Sequence, residues 1–280
     1  MRGEGRIPFW ELIERVRVNM HWKKNAIDLP RQQGSVVICG GGPSLEKDIK
    51  YIKQLIKKKC KLWTVNKTHD YLRTKALISD YCCLLDPKDW VADYVQKPNK
   101  KTTYLVSSQC DELVFKKLKS KNIYLWHAGV DYFNQEYPTP ILAKEQTKPF
   151  RIIPGPTTVG LRSLLVAYDL GFRDFHLFGF DSSFAENGNA HAYDKPPPPD
   201  ASLTTKTIST RLRSVTYQTN THMAKQADDF EELIEKIGEF IRKGWWDNID
   251  ITVYGTGLLP SLAATYGLHG DPNMNKLWTH

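Results

Sequence analysis

Ser35-Val36-Val37-Ile38-Cys39-Gly40-Gly41-Gly42-Pro43-Ser44-Leu45 is the stretch whose reading decides the fold. Val36 to Cys39 is a short apolar run without alternation, which reads as a strand buried on both faces. Three glycines follow; lacking Cβ atoms, they let another group come close to the backbone. Pro43 suits the first turn of a helix and Ser44 can cap it. From Leu45 to Lys59 the apolar residues Leu45, Ile49, Ile52, Leu55 and Ile56 keep helical spacing. Strand, glycine turn and helix N-terminus together make a corner whose N–H groups and dipole favour a phosphate. The corner has neither the Gly-Lys-Ser/Thr of a Walker loop nor the spaced Gly-x-Gly-x-x-Gly fingerprint. The bland reading of the same residues is a tight turn at a strand end.

The 280 residues are enough for one large or two small domains with a real core. With 41% hydrophobic and 25% charged residues, the composition is that of an ordinary soluble globular chain. No apolar run approaches the ~18 residues of a membrane span, and no apolar stretch follows Arg2, Glu4 and Arg6 as in a signal peptide. The five cysteines, Cys39, Cys60, Cys82, Cys83 and Cys110, form no Cys-x-x-Cys pair and read as reduced core thiols of a cytoplasmic protein. The net charge of +8 raises a nucleic-acid reading, but the excess falls in runs such as Lys57-Lys58-Lys59 that usually mark solvated surface. Zinc-finger spacing, RNA-binding aromatic motifs and basic heptads are missing, so no stable nucleic-acid partner is expected. A basic protein of this kind can hold anionic nucleotides or associate peripherally with an anionic envelope surface.

Working outward, Phe9 to Asn25 has amphipathic helical spacing, and a polar linker leads from there to Gly34. Strands are expected at Cys60–Val65, Tyr81–Leu85, Thr102–Val106 and Asn122–Leu125, closing on Asn66 and Asp86 after the first two, with a helix near Asp111–Leu118. From His127 to Arg151 the pattern dissolves into loop or short elements. Thr157 or Thr158 can then cap a helix that ends at Gly171, and Phe175–Phe178 is a strand leading to Gly179-Phe180-Asp181. Alternating strands and helices predict a Rossmann-like, mostly parallel α/β sheet flanked by helices, with ligands beyond the strand C-termini. Residues 182–219 lack periodicity and read as a lid insertion containing Pro196 to Pro199, Tyr193, Tyr217, Lys206, Arg211 and Arg213. Asn220–Arg242 is the clearest helix, and Ile251–Tyr254 is a last strand before Gly255-Thr256-Gly257 and a short helix. The expected organisation is a leading segment 1–33, one domain at 34–265 and a tail at 266–280.

In this order, these pieces resemble a known domain family. It includes motility-associated-factor glycosyltransferases of flagellin modification and archaeal 6-hydroxymethylpterin diphosphokinase. It is also distantly similar to small bacterial sialyltransferases that make lipooligosaccharide. The residues carrying the likeness are Gly40 to Leu45, Asn66, Asp86-Pro87, Thr157 to Gly160, Leu170-Gly171-Phe172, Gly179-Phe180-Asp181 and the helix from His222 to Ile234. They span roughly Gly34 to Ala264.

The resemblance to the sialyltransferases implies a cytidine nucleotide held at Gly40, Gly41, Gly42, Pro43 and Ser44 and at Asn66. Where they carry a second asparagine before proline, this chain has Asp86, which can accept bonds from sugar hydroxyls but repels phosphate. Backbone contacts would fall at Thr158, Val159 and Gly160, a carboxylate contact at Asp181 beside Gly179, and the general base at His222. Imidazoles as a class take up a proton near neutral pH. His191, on the lid, is a second candidate base. The remaining histidines lack a supporting constellation, and no spacing suggests zinc.

The expected function is thus transfer of a nonulosonic, sialic-type sugar from a CMP-activated donor to an acceptor hydroxyl, without a tightly bound cofactor. Its first rival is a Mg²⁺-dependent pyrophosphokinase moving diphosphate from ATP to a pterin-like alcohol, with Asp86 and either Asp80 or Asp181 on the metal. The second is a non-enzymatic nucleotide- or nucleic-acid-binding protein.

Overall fold

A computed structural model describes residues 7–118, 121–132, 135–193, 203–209 and 213–278. Arg2, Glu4, Arg6, the Pro196–Pro199 run, Arg211 and His280 lie outside the described residues. The chain runs through α1 (Phe9–Asn19), a 3-10 turn (Ala26–Asp28), β1 (Ser35–Cys39), α2 (Leu45–Lys57), β2 (Lys61–Val65), α3 (Thr68–Thr74) and β3 (Tyr81–Leu84). A 3-10 segment (Asp89–Tyr94) leads to β4 (Thr103–Ser107), α4 (Glu112–Leu118), β5 (Asn122–Ala128), β6 (Val130–Tyr132), β7 (Gln135–Tyr137), α5 (Thr139–Glu145) and β8 (Ile152–Ile153). Then come α6 (Val159–Asp169), β9 (Asp174–Phe178), β10 (Thr204–Ser209), β11 (Ser214–Thr219), α7 (Thr221–Arg242), β12 (Asp250–Val253), α8 (Leu258–Thr265) and α9 (Pro272–Trp278).

The main sheet has the strand order β12-β9-β1-β2-β3-β4-β5-β8 among the described residues, with helices between its strands, so the expected α/β class is observed. Two compact units divide the chain: residues 1–32 with 64–155, and residues 33–63 with 156–280. The expected leading segment therefore joins the first unit and the tail joins the second.

In the second unit β1 pairs with β9 and β9 with β12, all parallel, Val36 lying opposite Phe175. Val36, Val37, Ile38 and Cys39 are fully buried, as a strand covered on both faces requires. Asn220 caps α7 by accepting the Met223 N–H at 2.9 Å, and Ala227, Phe230, Leu233 and Ile237 form its buried stripe. The tail is not a loose end: α9 seats Trp278, 2% exposed, in a core with Ile208, Ala227, Leu258 and Ala264. Within the span expected as an aperiodic lid, β10 and β11 form an antiparallel hairpin with Thr207 opposite Thr216. Its apolar face has only Ile208, Val215 and Tyr217, too few to show a period in the sequence.

In the first unit β3, β4, β5 and β8 are parallel neighbours. Helix α1 stops at Asn19, six residues before the sequence spacing implied, because Asn19 turns inward and donates to the Ser108 and Cys110 carbonyls at 2.9 and 2.8 Å. Val16 and Met20 pack with Tyr137 and Leu142, while Val18, expected on the same stripe, is exposed. Helix α3, which lacks a long apolar period, carries the fully buried His69. The Asn99 N–H donates to the Tyr104 hydroxyl at 2.6 Å, and that hydroxyl lies 3.0 Å from His69 Nε2. The other ring nitrogen lies 3.0 Å from Ser79 Oγ, and burial lowers the His69 pKa.

His127, at the end of β5, is a second buried imidazole. Its Nδ1 meets Ser108 Oγ at 3.0 Å, its Nε2 is buried without a partner, and burial pushes its pKa down to about 4. A depressed imidazole is neutral in the fold while the unfolded chain takes a proton, so stability is full above about pH 6.5 and falls as pH drops toward 4. The loss attributable to His127 is at most about 3 kcal/mol. Denaturant titrations between pH 7 and 4 should show this slope in the wild type and a shallower one in His127→Gln; equal slopes would remove His127 as the cause.

Candidate functional site

Where β1 and β9 end in the second unit, their backbones close on each other. The Gly40 N–H donates to the Phe178 carbonyl and the Gly42 N–H to the Gly179 carbonyl, both at 2.8 Å. Gly179 has φ +67°, and a Cβ there would stand 2.8 Å from the Gly40 carbonyl oxygen, so both its conformation and its neighbour demand glycine. The chain then reaches Asp181, 2% exposed, whose carboxylate turns back onto the start of α2. Asp181 Oδ2 accepts the Ser44 N–H at 3.2 Å and the Ser44 Oγ–H at 3.0 Å. Gly42 leaves room for this carboxylate, which any Cβ there would overlap, and Gly257 packs against the Asp181 backbone in the same way.

Ser44 was expected to cap α2 and does not: its own backbone is already helical, at φ −67° and ψ −22°, and its hydroxyl proton goes to the buried Asp181 carboxylate. Burial raises the Asp181 pKa while the bonds from Ser44 lower it. The Leu45 N–H donates to the Gly42 carbonyl at 3.1 Å. The N–H groups of Gly40, Gly42, Ser44 and Leu45 thus have acceptors within the protein, and the chain's own carboxylate occupies part of the expected anion corner.

Beside Asp181 opens a cleft of about 940 Å³. Ser44, Lys47, Asp181 and Ser183 line it on one side and Asn187, Asn189 and His191 on another. The Ala192 N–H donates to the Gly41 carbonyl at 3.0 Å, and the His191 ring stacks on Tyr193 at 5.2 Å and 12°. The next wall is β11, tied in by the Phe184 N–H to the Gln218 carbonyl at 2.9 Å. Strand pairing places Thr205, Thr207, Ser209, Ser214, Thr216 and Gln218 on one face of the hairpin. Thr207 meets Thr216, and Ser209 meets Ser214, hydroxyl to hydroxyl at 2.8 Å. Of this uncharged face, Thr216 and Gln218 line the cleft. The opposite face packs inward, with Tyr217 Oη 2.5 Å from Ser261 Oγ and Lys206 paired with Asp228.

Thr158 stands at the N-cap of α6 with extended backbone, but its hydroxyl accepts from Gln226 Nε2 at 3.3 Å rather than capping the helix. Gln226 Oε1 accepts the Ser182 hydroxyl at 2.9 Å, so one side chain of α7 ties the start of α6 to the segment after β9. Val159 opens α6, and Gly160 gives the Phe180 ring room. Gln226 was not singled out in the sequence; the available signal was its place one turn after His222 on an otherwise amphipathic helix. His222 is exposed in the first turn of α7 and is not among the cleft-lining residues, whereas His191 is.

Asn66 and Asp86 belong to the first unit. Asn66 follows β2 with φ +48°, its N–H donates to the Cys83 carbonyl at 3.3 Å, and its Oδ1 is buried without a partner. Asp86 is exposed after β3, and its Oδ1 accepts the Lys88 N–H at 2.9 Å. Asp80, expected as an alternative metal partner of Asp86, precedes β3. The two carboxylates stand at opposite ends of that strand, about 15–20 Å apart by strand rise, and cannot share one ion.

The family model described as 6-hydroxymethylpterin diphosphokinase MptE-like matches residues 12–187. No curated protein matches the chain. The solved structure of a MAf glycosyltransferase from Magnetospirillum magneticum AMB-1 is similar at TM-score 0.57 and 17% identity, covering 81% of this chain and 34% of that one. This chain therefore spans about a third of that protein's length, and the likeness is one of fold. Since the family model covers more than half of its residues, the chain belongs to the 6-hydroxymethylpterin diphosphokinase MptE-like family.

Proposed function

We propose that this protein is a nucleotide-dependent transferase, specifically a glycosyltransferase that moves a nonulosonic sugar from a CMP-activated donor to an acceptor hydroxyl. The observation that carries this reading is the chemistry of the cleft: a wall of uncharged hydroxyl and amide groups, Thr216, Gln218, Asn187 and Asn189, faces an imidazole and a carboxylate. Such groups match the hydroxyls of a sugar one for one, with both donors and acceptors. The fold shared with a MAf glycosyltransferase supports the same class. In this proposal His191 accepts the proton of the attacking acceptor hydroxyl as the bond to the anomeric carbon forms and CMP departs. Lys47, on the rim, offsets the charge of the leaving nucleotide. The backbone of Thr158, Val159 and Gly160 remains a proposed phosphate contact.

A second reading rests on the name of the matching family: a diphosphokinase moving diphosphate from ATP to a pterin-like alcohol. Asp86 fits Mg²⁺ in chemistry, because an exposed carboxylate with only Oδ1 engaged by Lys88 can bridge an ion that takes its other ligands from water and substrate phosphates. In that reading Asp86 holds the ion, which would screen the transferred phosphates.

Thermal shifts with CMP, CDP, ATP and GTP, each with and without Mg²⁺, distinguish these readings. Stabilisation by CMP without metal is the expected result. Stabilisation by ATP only with Mg²⁺ would transfer the assignment to the kinase, and no shift with any nucleotide would sink both readings. With the donor so identified, His191→Ala should lower kcat about 10²–10⁴-fold at little cost in nucleotide affinity, and His222→Ala should change it far less. The reverse pattern would make His222 the base. A Cβ at Gly41 would overlap the Tyr193 hydroxyl and press on His191. Gly41→Val should therefore displace this rim and abolish the nucleotide-induced thermal shift while circular dichroism stays native; an undiminished shift would separate the glycine turn from the site.

A further inference from the structure

The outer face of α2 carries a charge pattern unlike that of the other helices. Lys47, Lys50, Lys53, Lys57 and Lys58 recur at spacings that place them on one side, all exposed, while Leu45, Ile52 and Leu55 are buried on the other. On other helices several cations are neutralised within one turn. Lys225 pairs with Asp229, Lys236 with Glu232, Lys243 with Glu239, Lys116 with Glu112, and Arg15 with Glu11. Among the described residues Lys50, Lys53, Lys57 and Lys58 have no such carboxylate within 4 Å.

The helix dipole does not account for the arrangement. It favours Lys57 and Lys58 at the C-terminal end but disfavours Lys47 and Lys50 in the first turns. The stripe also contains the exposed Glu46 and no arginine, while the Tyr51 ring beside it packs against Phe178 and Tyr254. Lysines are compact, strongly hydrated point charges that suit a diffuse negative surface, whereas arginine forks suit the bidentate contacts by which bases and single phosphates are read. Thirteen helical residues make the stripe about 20 Å long, straight and convex. No described helix is long and apolar enough to cross a membrane, so any membrane contact of the described residues through helices is peripheral.

We propose that the lysine face of α2 docks this protein on an anionic lipid bilayer. Charge complementarity supplies the attraction. Lys47, the first residue of the stripe, also lines the cleft, so docking would set the cleft beside the lipid surface. Each basic residue near such a surface strengthens binding by roughly fivefold.

The test is co-sedimentation of the full chain with phosphatidylcholine vesicles, plain or containing about a third phosphatidylserine, at low and high salt. The protein should bind only the anionic vesicles and leave them at high salt. A triple glutamine variant, Lys50→Gln/Lys53→Gln/Lys57→Gln, which leaves Lys47 and the cleft untouched, should lose about 100-fold in affinity. The variant Lys50→Glu/Lys53→Glu/Lys57→Glu, with the charges reversed, should lose considerably more. Wild-type-like circular dichroism and melting would show both variants folded. Absent binding by the wild type, unchanged binding by folded variants, or release from vesicles by an equal charge of double-stranded DNA would each overturn the proposal, the last in favour of nucleic acid.

Discussion

The second unit is built around one interaction, the seating of the Asp181 carboxylate on the first residues of α2. An ionised carboxylate in a protein interior is costly unless it is hydrogen-bonded. Ser44 gives it two donors, and the N-terminal end of the helix dipole adds a favourable field. These terms compete with desolvation, and the pKa of Asp181 still ends above its ordinary value. Its effect reaches Asp48 one turn along α2, where burial, then the charge of Asp181, push the carboxyl up to about 6. The glycines around it follow from this geometry: Gly42 makes room for the carboxylate, Gly257 for its backbone, and Gly179 turns the chain toward it.

From that seat the cleft takes its character. On one side stand Asp181 and Ser44, held by the strand ends; on the other is a hairpin whose inner face is anchored by Tyr217 and Ile208. Because side chains alternate along a strand, burying Tyr217 commits its neighbours Thr216 and Gln218 to the opposite side. The polar, uncharged wall is thus a geometric consequence of how the hairpin packs. Gln226 of α7 ties the start of α6 to the segment after β9 through Thr158 and Ser182.

The first unit manages buried polar groups in another way. His69 lies in a chain of bonds running from Asn99 through Tyr104 to Ser79, in which both ring nitrogens have a hydroxyl partner. Asn19 satisfies two carbonyls left open where β4 ends. Such groups add specificity, since each can be satisfied in only one arrangement of its neighbours. They also set where α1 stops, which hydrophobic spacing alone extended too far.

By itself, the sequence determined the α/β alternation, the buried strand at Val36 to Cys39, and the long helix capped by Asn220, because these rest on local periodicity and local hydrogen bonding. The candidate site residues divide: Ser44, Asp181 and His191 line one cleft of the second unit, His222 is outside its lining, and Asn66 and Asp86 belong to the first unit. The hairpin at 204–219 was not legible, since three apolar residues in twelve positions carry no usable period. Nor was the packing of the C-terminal helix, whose one buried side chain, Trp278, gains meaning only from the core that receives it. Only the tertiary structure decided what Ser44 does. A serine before a helix has a capping role by local rules, but here its backbone is already helical and its hydroxyl proton is given to a buried carboxylate 137 residues away.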